Sequence, residues 1–416
     1  MSNLSLYIHI PFCVSKCNYC DFLSAPCDEE IRQEYVDALC REIAQRAECF
    51  KEKKVDTIFF GGGTPSILEA KQIRKIMSTI RQAFQISPDA EISMEMNPGT
   101  VNREKLETYK VLGINRLRIG LQSANNEELR ALGRIHTWED FRETWNLVRE
   151  TGFTNVNIDL MSALPGQTLE SYKETLRKVL ALKPEHISAY SLIVEEGTPF
   201  FEWFGDDGKR RNELPDEITD RQMYELTKEM LEEQGYYRYE ISNYAKKGCE
   251  CKHNIGYWKR KEYLGLGLGA ASLLFKDCGE NVKKQIQKST DKSPTINIRC
   301  NNVTDLQTYL KTEPDRVEKG TVFLVKTESK WEQEIVELSL TDQMEEFMFL
   351  GLRMMEGISS VEFEEQFGKP LQEVYGTQIE KLEKQGLLEF CQETGRYALT
   401  LQGIDVSNQV FIEFIE

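Results

Sequence analysis

Through the first 190 residues the apolar positions follow two spacings in turn. Short compact runs at 55–60, 91–96, 116–120, 156–160 and 187–190 have the length of buried strands. Between them, stretches at 28–49, 69–84, 102–111, 137–150 and 169–180 place their apolar residues at helical spacing. Ile31, Tyr35, Leu39 and Ile43 form one such stripe, Phe141, Trp145 and Val148 another, and Tyr172, Leu176 and Leu180 a third. Asp28 stands where the first helix needs an N-cap. A short alternating strand opens the series at Tyr7. Strand and helix in regular succession predict a parallel sheet buried on both faces. The pattern alone fits an open doubly wound sheet or a barrel. In either arrangement the working residues lie just past the C-terminal ends of the strands. Here those ends carry Gly61-Gly62-Gly63-Thr64-Pro65, Glu95-Met96-Asn97-Pro98 and Gly120-Leu121-Gln122-Ser123, and Asp159 sits in a fourth strand.

The second half reads differently. Residues 196–215 are polar and turn-rich, a crossover out of the repeating units, and 216–233 is a helical pattern. A strand at 236–241 then delivers the chain to Cys251 and His253. Gly265-Leu266-Gly267-Leu268-Gly269 permits tight turns or close backbone approach; it lacks a clear strand and acidic partner for a nucleotide fingerprint. Residues 276–296 read as a polar loop, and 314–340 as a β-containing linker whose clearest strand is Val322-Phe323-Leu324-Val325. Helical stretches at 341–355, 359–367 and 371–385 lead into two short strands around the turn Thr394-Gly395, which suggests a winged-helix-like module. Residues 341–416 hold 15 acidic and 5 basic side chains, so phosphate is repelled and a lid, docking or packing role is favoured over DNA binding. The organisation expected is a core over 1–200, an extension over 201–300 and an accessory domain over 301–416.

Composition narrows the setting. A chain of 416 residues with a net charge of -16 is a poor general surface for nucleic acid or anionic membrane. No apolar run is long enough to cross a bilayer, and Met1 to Leu4 leads straight into a strand, so a cytoplasmic location is expected, with any membrane contact peripheral. Eleven cysteines in such a chain are not a disulfide framework. Cys40, Cys49, Cys300 and Cys391 read as small buried hydrophobes.

The chemistry concentrates after Pro11, where Cys13, Cys17 and Cys20 are spaced by three and two residues. Three thiolates held this closely can ligate three irons of a 4Fe-4S cube and leave the fourth open to a small molecule. A zinc knuckle short of one ligand and three unrelated thiols are the competing readings.

This loop resembles the radical S-adenosylmethionine signature, and its surroundings are similar to the family of oxygen-independent coproporphyrinogen III oxidase and the related haem chaperones. The resemblance covers nearly the whole chain and is most specific at 7–22, 61–65, 157–166 and 253–258. It implies a partial (β/α)6 TIM-like barrel of the radical SAM type with a smaller C-terminal winged-helix-like domain. Cys13, Cys17 and Cys20 are the implied cluster ligands. Gly61, Gly62, Gly63 and Thr64 match the segment that meets the methionyl end of S-adenosylmethionine. Glu95 matches the carboxylate at that end, Gln122 and Asp159 the ribose partners, and Arg134 the arginine facing the cofactor carboxylate. Tyr7 and Tyr19 flank the site, Tyr19 being suited to adenine.

Within the family, two features point away from the oxidase and towards the haem chaperone. Phe22 stands where the oxidase carries a further cysteine, and only six residues precede Tyr7 where the oxidase has an extended segment. His253-Asn254-Ile255-Gly256-Tyr257-Trp258 looks like the chaperone's HNxxYW motif. Haem would then be cargo for acceptor haemoproteins such as respiratory enzymes. His253 can ligate haem iron, Tyr257 and Trp258 can wall a macrocycle, and Asn254 can support them; the same four residues also suit a structural histidine and core aromatics. Cys249 and Cys251 are alternative iron ligands by chemistry alone. His9 reads as structural, and His136 and His186 each as a solvated or packed residue. A radical enzyme acting on a tetrapyrrole is the second functional reading, and a binding protein with a structural or redox-sensing cluster the third.

Overall fold

The computed structural model describes residues 3–277, 295–313 and 330–415. Its first half alternates strand and helix: β1 (Asn3–Ile10), α1 (Glu29–Ala47), β2 (Lys54–Gly62), α2 (Ala70–Ala83), β3 (Gln85–Met96), α3 (Arg103–Val111) and β4 (Arg116–Gln122). Then come α4 (Asn126–Ala131), α5 (Trp138–Glu150), β5 (Val156–Ser162), α6 (Leu169–Ala181) and β6 (His186–Ser191). The helices begin where short polar side chains can take their free amides. Asp28, Asn102, Thr137, Thr168 and, further on, Asp216 each accept a first-turn backbone N–H. Each such cap contributes about 1 kcal/mol.

The strands pair in parallel in chain order from β1 to β6. A seventh parallel strand comes from much later in the chain: β9 (Tyr263–Leu266) lies against β1, with Ser5 beside Tyr263 and Ile8 beside Leu266. Antiparallel strands extend the sheet at both ends. β10 (Ala271–Asp277), β11 (Thr295–Asn302) and β12 (Glu332–Glu337) follow β9, and β8 (Asn243–Ala245) and β7 (Tyr237–Glu240) follow β6, giving twelve strands in one partial barrel.

Register sorts the side chains of this sheet into two faces. Ile58 lies beside Ile92, Met94 beside Leu117, and Ile119 beside Ile158, all buried. The opposite face carries Glu95, Arg118, Asn157 and His186 in one continuous row. The strands are therefore buried on both faces, but the inner face is largely polar. Buried polar groups demand partners, and this row is where the site forms.

The glycine run at Gly265 follows from the closure of β9 on β1. A Cβ at Gly267 would lie 2.6 Å from both the His9 carbonyl oxygen and the Tyr35 hydroxyl, and its φ is +107°. Beyond β6, residues 196–215 depart from a plain polar crossover. Thr198 caps α7 (Pro199–Phe204), with Pro199 in its first turn, and Phe200 and Phe204 are buried against Leu132, Met161 and Leu164. Polar flanks of so short a helix hide its apolar pair. α4 escapes periodicity for the same reason of length.

α8 (Glu217–Glu233) precedes β7, and α9 (Lys252–Trp258) follows β8. α9 packs against β2, with His253 beside Thr57 and Phe59. The Glu91 carboxylate accepts the backbone N–H groups of Lys252 at 3.0 Å and His253 at 3.1 Å, closing the N-terminus of α9 with a charge of the right sign. The expected loop at 276–296 is strand at its two ends, in β10 and β11; 278–294 lies outside the described residues, as does the strand expected at Val322 to Val325. The end of that linker is β12.

The barrel core runs on through Cys300, Tyr309 of α10 (Leu306–Lys311) and Trp331. A second core gathers Met344, Met348, Phe363, Phe367, Tyr375 and Ile379. It belongs to α11 (Leu340–Gly351), α12 (Ser360–Phe367) and α13 (Leu371–Lys384), with a small sheet of β13 (Ile358–Ser359), β15 (Arg396–Leu399) and β14 (Leu388–Cys391). Two short helices, α14 (Leu401–Asp405) and α15 (Ser407–Ile412), close the chain. Backbone bonds from Ile241 to Arg353 at 3.1 Å and from Met355 to Tyr239 at 3.0 Å join this module to β7. Among the described residues no helix is long and apolar enough to cross a membrane.

Candidate functional site

The cysteine loop leaves β1 at Pro11 and is held at several points. Cys13 N–H donates to the Ala25 carbonyl at 3.2 Å, Asn18 N–H to Leu132 at 3.0 Å, and Cys20 N–H to Cys17 at 3.2 Å, while Asn18 accepts from Phe200 N–H at 3.1 Å. α7, missed by periodicity, is thus a support for the loop. From the other side, Gly63 and Thr64 donate to the carbonyls of Ile10 and Phe12. A Cβ on Gly63 would lie 2.7 Å from the Phe12 carbonyl oxygen and 3.0 Å from Cys13 Sγ. Only glycine lets β2 pass so close beneath the cysteines.

Below the loop a cavity of about 440 Å³ opens to the surface. Cys13, Cys17, Cys20, Tyr19, Gly62, Gly63, Glu95, Gln122, Arg134 and Asp159 all line it. Tyr7, Gly61 and Thr64 stand just behind: Gly61 lies between the Tyr7 ring and the Glu95 carboxylate, and the Tyr7 hydroxyl is 3.1 Å from His9 Nδ1.

Electrostatics in the cavity centre on Arg118. Its Nε is 2.8 Å from each Asp159 oxygen, and its Nη1 is 3.4 Å from Glu95. Asn157 donates to Asp159 at 2.6 Å. One guanidinium thus faces two carboxylates. Burial drives the Glu95 carboxyl up to about 7, with Arg118 pulling it down and Asp159 pushing it further up. The same pair of carboxylates raises Arg118 against its own burial. Across the cavity, Arg134 donates to Asn97 at 3.0 Å, to Cys17 Sγ at 3.6 Å and to the Gly120 carbonyl, while its buried Nε has no partner among the described residues. Asn97 donates to Thr64 Oγ1 at 2.9 Å, and Thr64 donates to Cys13 Sγ at 3.4 Å. Gln122 ends β4 with φ +73°, a conformation unusual for a residue with a side chain. The Tyr190 hydroxyl donates to the Gln122 side-chain Oε1 at 3.4 Å.

These residues fit a cluster and a zwitterionic ligand. The three thiols are free and half-buried. Among the described residues no three His, Cys, Asp or Glu side chains converge on one metal ion. A cube instead takes one thiolate per iron, at separate corners. Excess negative charge at Glu95 and Asp159 suits a cationic ligand end, and the unfilled donor of Arg134 suits a carboxylate.

Arg118, Asn157 and Tyr190 did not stand out from sequence spacing, and Asn97 stood only within the strand-end run from Glu95 to Pro98. An arginine in the middle of an apolar strand, two residues before a strand-end glycine, is the signal that could have found Arg118.

The HNxxYW segment lies elsewhere. His253 is 1 % exposed, with Nδ1 2.7 Å from Thr57 Oγ1, Nε2 2.9 Å from the Tyr257 hydroxyl, and its ring stacked on Phe59. Burial holds it neutral, down to about 3. Both nitrogens are engaged, so neither reaches an iron unless α9 releases it. Cys251 is buried, its thiol pushed up to about 12 by burial and by Glu91 beside it, and Cys249 is half-buried. Asn254 and Tyr257 are half-buried on α9; Trp258 faces the C-terminal module, with Arg353 4.5 Å over its ring. His9, His136 and His186 are all buried and hydrogen-bonded, to Leu23, Leu121 and Asn157 respectively.

Residues 7–179 match the family model of the Radical SAM superfamily, and 338–406 that of the HemN C-terminal domain. Membership of that superfamily implies a 4Fe-4S cluster and S-adenosylmethionine. In fold the chain resembles coproporphyrinogen III oxidase (HemN) from Escherichia coli, at a TM-score of 0.78 and 24% identity over 99% of this chain and 90% of that one. Proteins named heme chaperone HemW from Lactococcus lactis and Bacillus subtilis are 34% and 35% identical, over 99% of this chain and 97% and 99% of theirs. With both cores, the cysteine loop and the α9 segment inside that span, the chain belongs to the HemW family of radical SAM proteins.

Proposed function

We propose that this protein captures haem and delivers it to acceptor haemoproteins, respiratory enzymes among them, and that it carries a 4Fe-4S cluster on Cys13, Cys17 and Cys20 with S-adenosylmethionine in the adjoining cavity. The observation that carries this reading is the full-length match to relatives named heme chaperone, whereas the oxidase shares the fold at 24% identity. Peripheral contact with membrane-bound acceptors from the cytoplasm is compatible with it.

When bound, the cluster and S-adenosylmethionine supply one-electron chemistry and a radical source. The residues of this chain bind, orient and shield. Glu95 takes the cationic amino-acid end and loses its proton as it does so. Arg134 takes the carboxylate with its unfilled donor. Gln122 and Asp159 meet the ribose hydroxyls, while Arg118, 2.8 Å from both Asp159 oxygens, holds that carboxylate in place for the task. Tyr19 packs beside Phe200 at 6.2 Å and offers its ring to the adenine. Tyr7, Gly61 and Thr64 hold the floor behind them.

The test is anaerobic haem titration of the cluster-loaded protein, followed by transfer to an apo-haemoprotein. Saturable binding and acceptor-dependent loss of haem are expected; no saturable binding overturns the reading. His253→Ala is expected to keep the haem spectrum, since its imidazole is already committed to Thr57 and Tyr257. A changed spectrum would instead place it on the iron.

The complete cavity favours a second reading, a radical enzyme acting on a tetrapyrrole. Release of 5'-deoxyadenosine in step with consumption of coproporphyrinogen III would move it ahead.

A further inference from the structure

Away from the cavity, a groove of about 280 Å³ runs between α9 and the C-terminal module. Its wall includes Trp258, Arg260, Phe347, Met354 and Ile358. Arg260 is 4 % exposed. Its Nε donates to Glu346 at 2.9 Å, but Nη1 and Nη2 are buried without a partner among the described residues. Glu346 does not belong to Arg260 alone, because its other oxygen accepts from Arg299 at 2.6 Å. Two guanidiniums thus share one carboxylate. The nearby acids are taken: Glu356 pairs with Lys259 at 2.6 Å and Glu362 with Arg396 at 3.1 Å. The indole Nε1 of Trp258 is likewise buried without a partner among the described residues.

Three unfilled donors and one uncompensated positive charge stand on a wall that is apolar at Phe347, Met354 and Ile358 and elsewhere carries the charges paired within it, Lys259 with Glu356 and Arg396 with Glu362. Buried donors of this kind are rarely left without acceptors, and a buried cation calls for an anion. Guanidinium forks match planar two-oxygen acceptors. We propose that this groove binds a carboxylate carried on an apolar body, the carboxylate on Arg260 and Trp258 Nε1 and the body against Phe347, Met354 and Ile358. The site stands whether or not haem is the cargo. A free aromatic acid and the propionate edge of a porphyrin share this chemistry.

Calorimetric titration of the full chain with 2-naphthoate and with 2-naphthalenemethanol tests it. Saturable single-site binding of the acid is expected, at least tenfold tighter than the alcohol; equal binding, or none, overturns the site. Arg260→Met is expected to lose at least tenfold for the acid, with circular dichroism and a melting curve reporting whether it folds. Gln366→Glu, an exposed change on the groove wall, tests the site without touching the buried pair. It should weaken the acid several-fold and leave the alcohol unchanged; unchanged acid binding in both folded variants overturns the proposal. Protoporphyrin IX and its dimethyl ester then distinguish the sources. Displacement of naphthoate by the diacid but not the diester assigns the groove to a porphyrin propionate, and displacement by neither assigns it to a free acid.

Discussion

Glu95 and Arg118 show how a single buried charge sets the behaviour of the cavity. The folded protein holds the Glu95 proton up to about pH 7, whereas an unfolded chain releases it near 4.5. Between those values the folded state binds the extra proton, so this group's contribution to stability falls as pH rises. Glu95→Gln removes that dependence. The stability of the variant relative to the parent should therefore grow from pH 5 to pH 7, by about 1.4 kcal/mol per unit at most, as read from urea midpoints. Arg118→Met has the opposite character. It leaves Glu95 and Asp159 without their shared cation and should destabilise the protein by about 3–5 kcal/mol at pH 7.5.

At the scale of the element, α9 is a seven-residue helix that depends on its surroundings, being too short to persist on its own. Glu91 closes one end and His253 pins its inner face to β2 through Thr57 and Phe59. His253→Ala strands the Thr57 and Tyr257 hydroxyls in the interior and should cost about 2–4 kcal/mol of unfolding free energy. The motif at 253–258 was visible in the chain, but its orientation was not. Nothing in residue spacing says that Thr57, two hundred positions earlier, meets the imidazole. The same division runs through the rest of the molecule. Elements with several turns and a clear apolar stripe, such as α2, α5 and α6, lie within a residue or two of where periodicity puts them. Gly62, Gly63, Glu95 and Gln122 announced themselves by position at strand ends, the cysteines by their spacing, Asp159 by its place in a strand and Arg134 by resemblance alone, and all of them line one cavity. Arg118 escaped because it sits inside a strand, where its charge becomes necessary only once register brings Glu95 and Asp159 beside it. β9 escaped because its parallel partner lies some 250 residues away, and local pattern carries no trace of that pairing.

Across the whole molecule, all four histidines are buried, and burial lowers every one of them. Unfolding below about pH 6.5 lets each take up a proton that the native state refuses, so their contribution to stability is lost as pH falls. The raised carboxyls of Glu42, Glu95 and Glu240 oppose this in the acid range. On unfolding the histidine share is net proton uptake and the carboxyl share net release; His136→Gln, which removes one of the uptake sites, should gain stability relative to the parent as pH falls from 7 to 5.5, read from urea midpoints. Buffers of different ionisation enthalpy in calorimetry would report the sign directly.

The pairing of β9 with β1 has a consequence for the order in which the protein is made. Until Leu266 has left the ribosome, one edge of β1 has no neighbour, and the Tyr35 hydroxyl lacks the backbone it binds at Leu268. Strand pairing over so long a separation is slow to form, and an unpaired edge invites the wrong partner. The cysteine loop is the direct continuation of that strand. Cluster delivery to a nascent chain would meet a loop without its final footing, so insertion belongs after the first 270 or so residues have been synthesised, and chaperone protection of the β1 edge belongs before it.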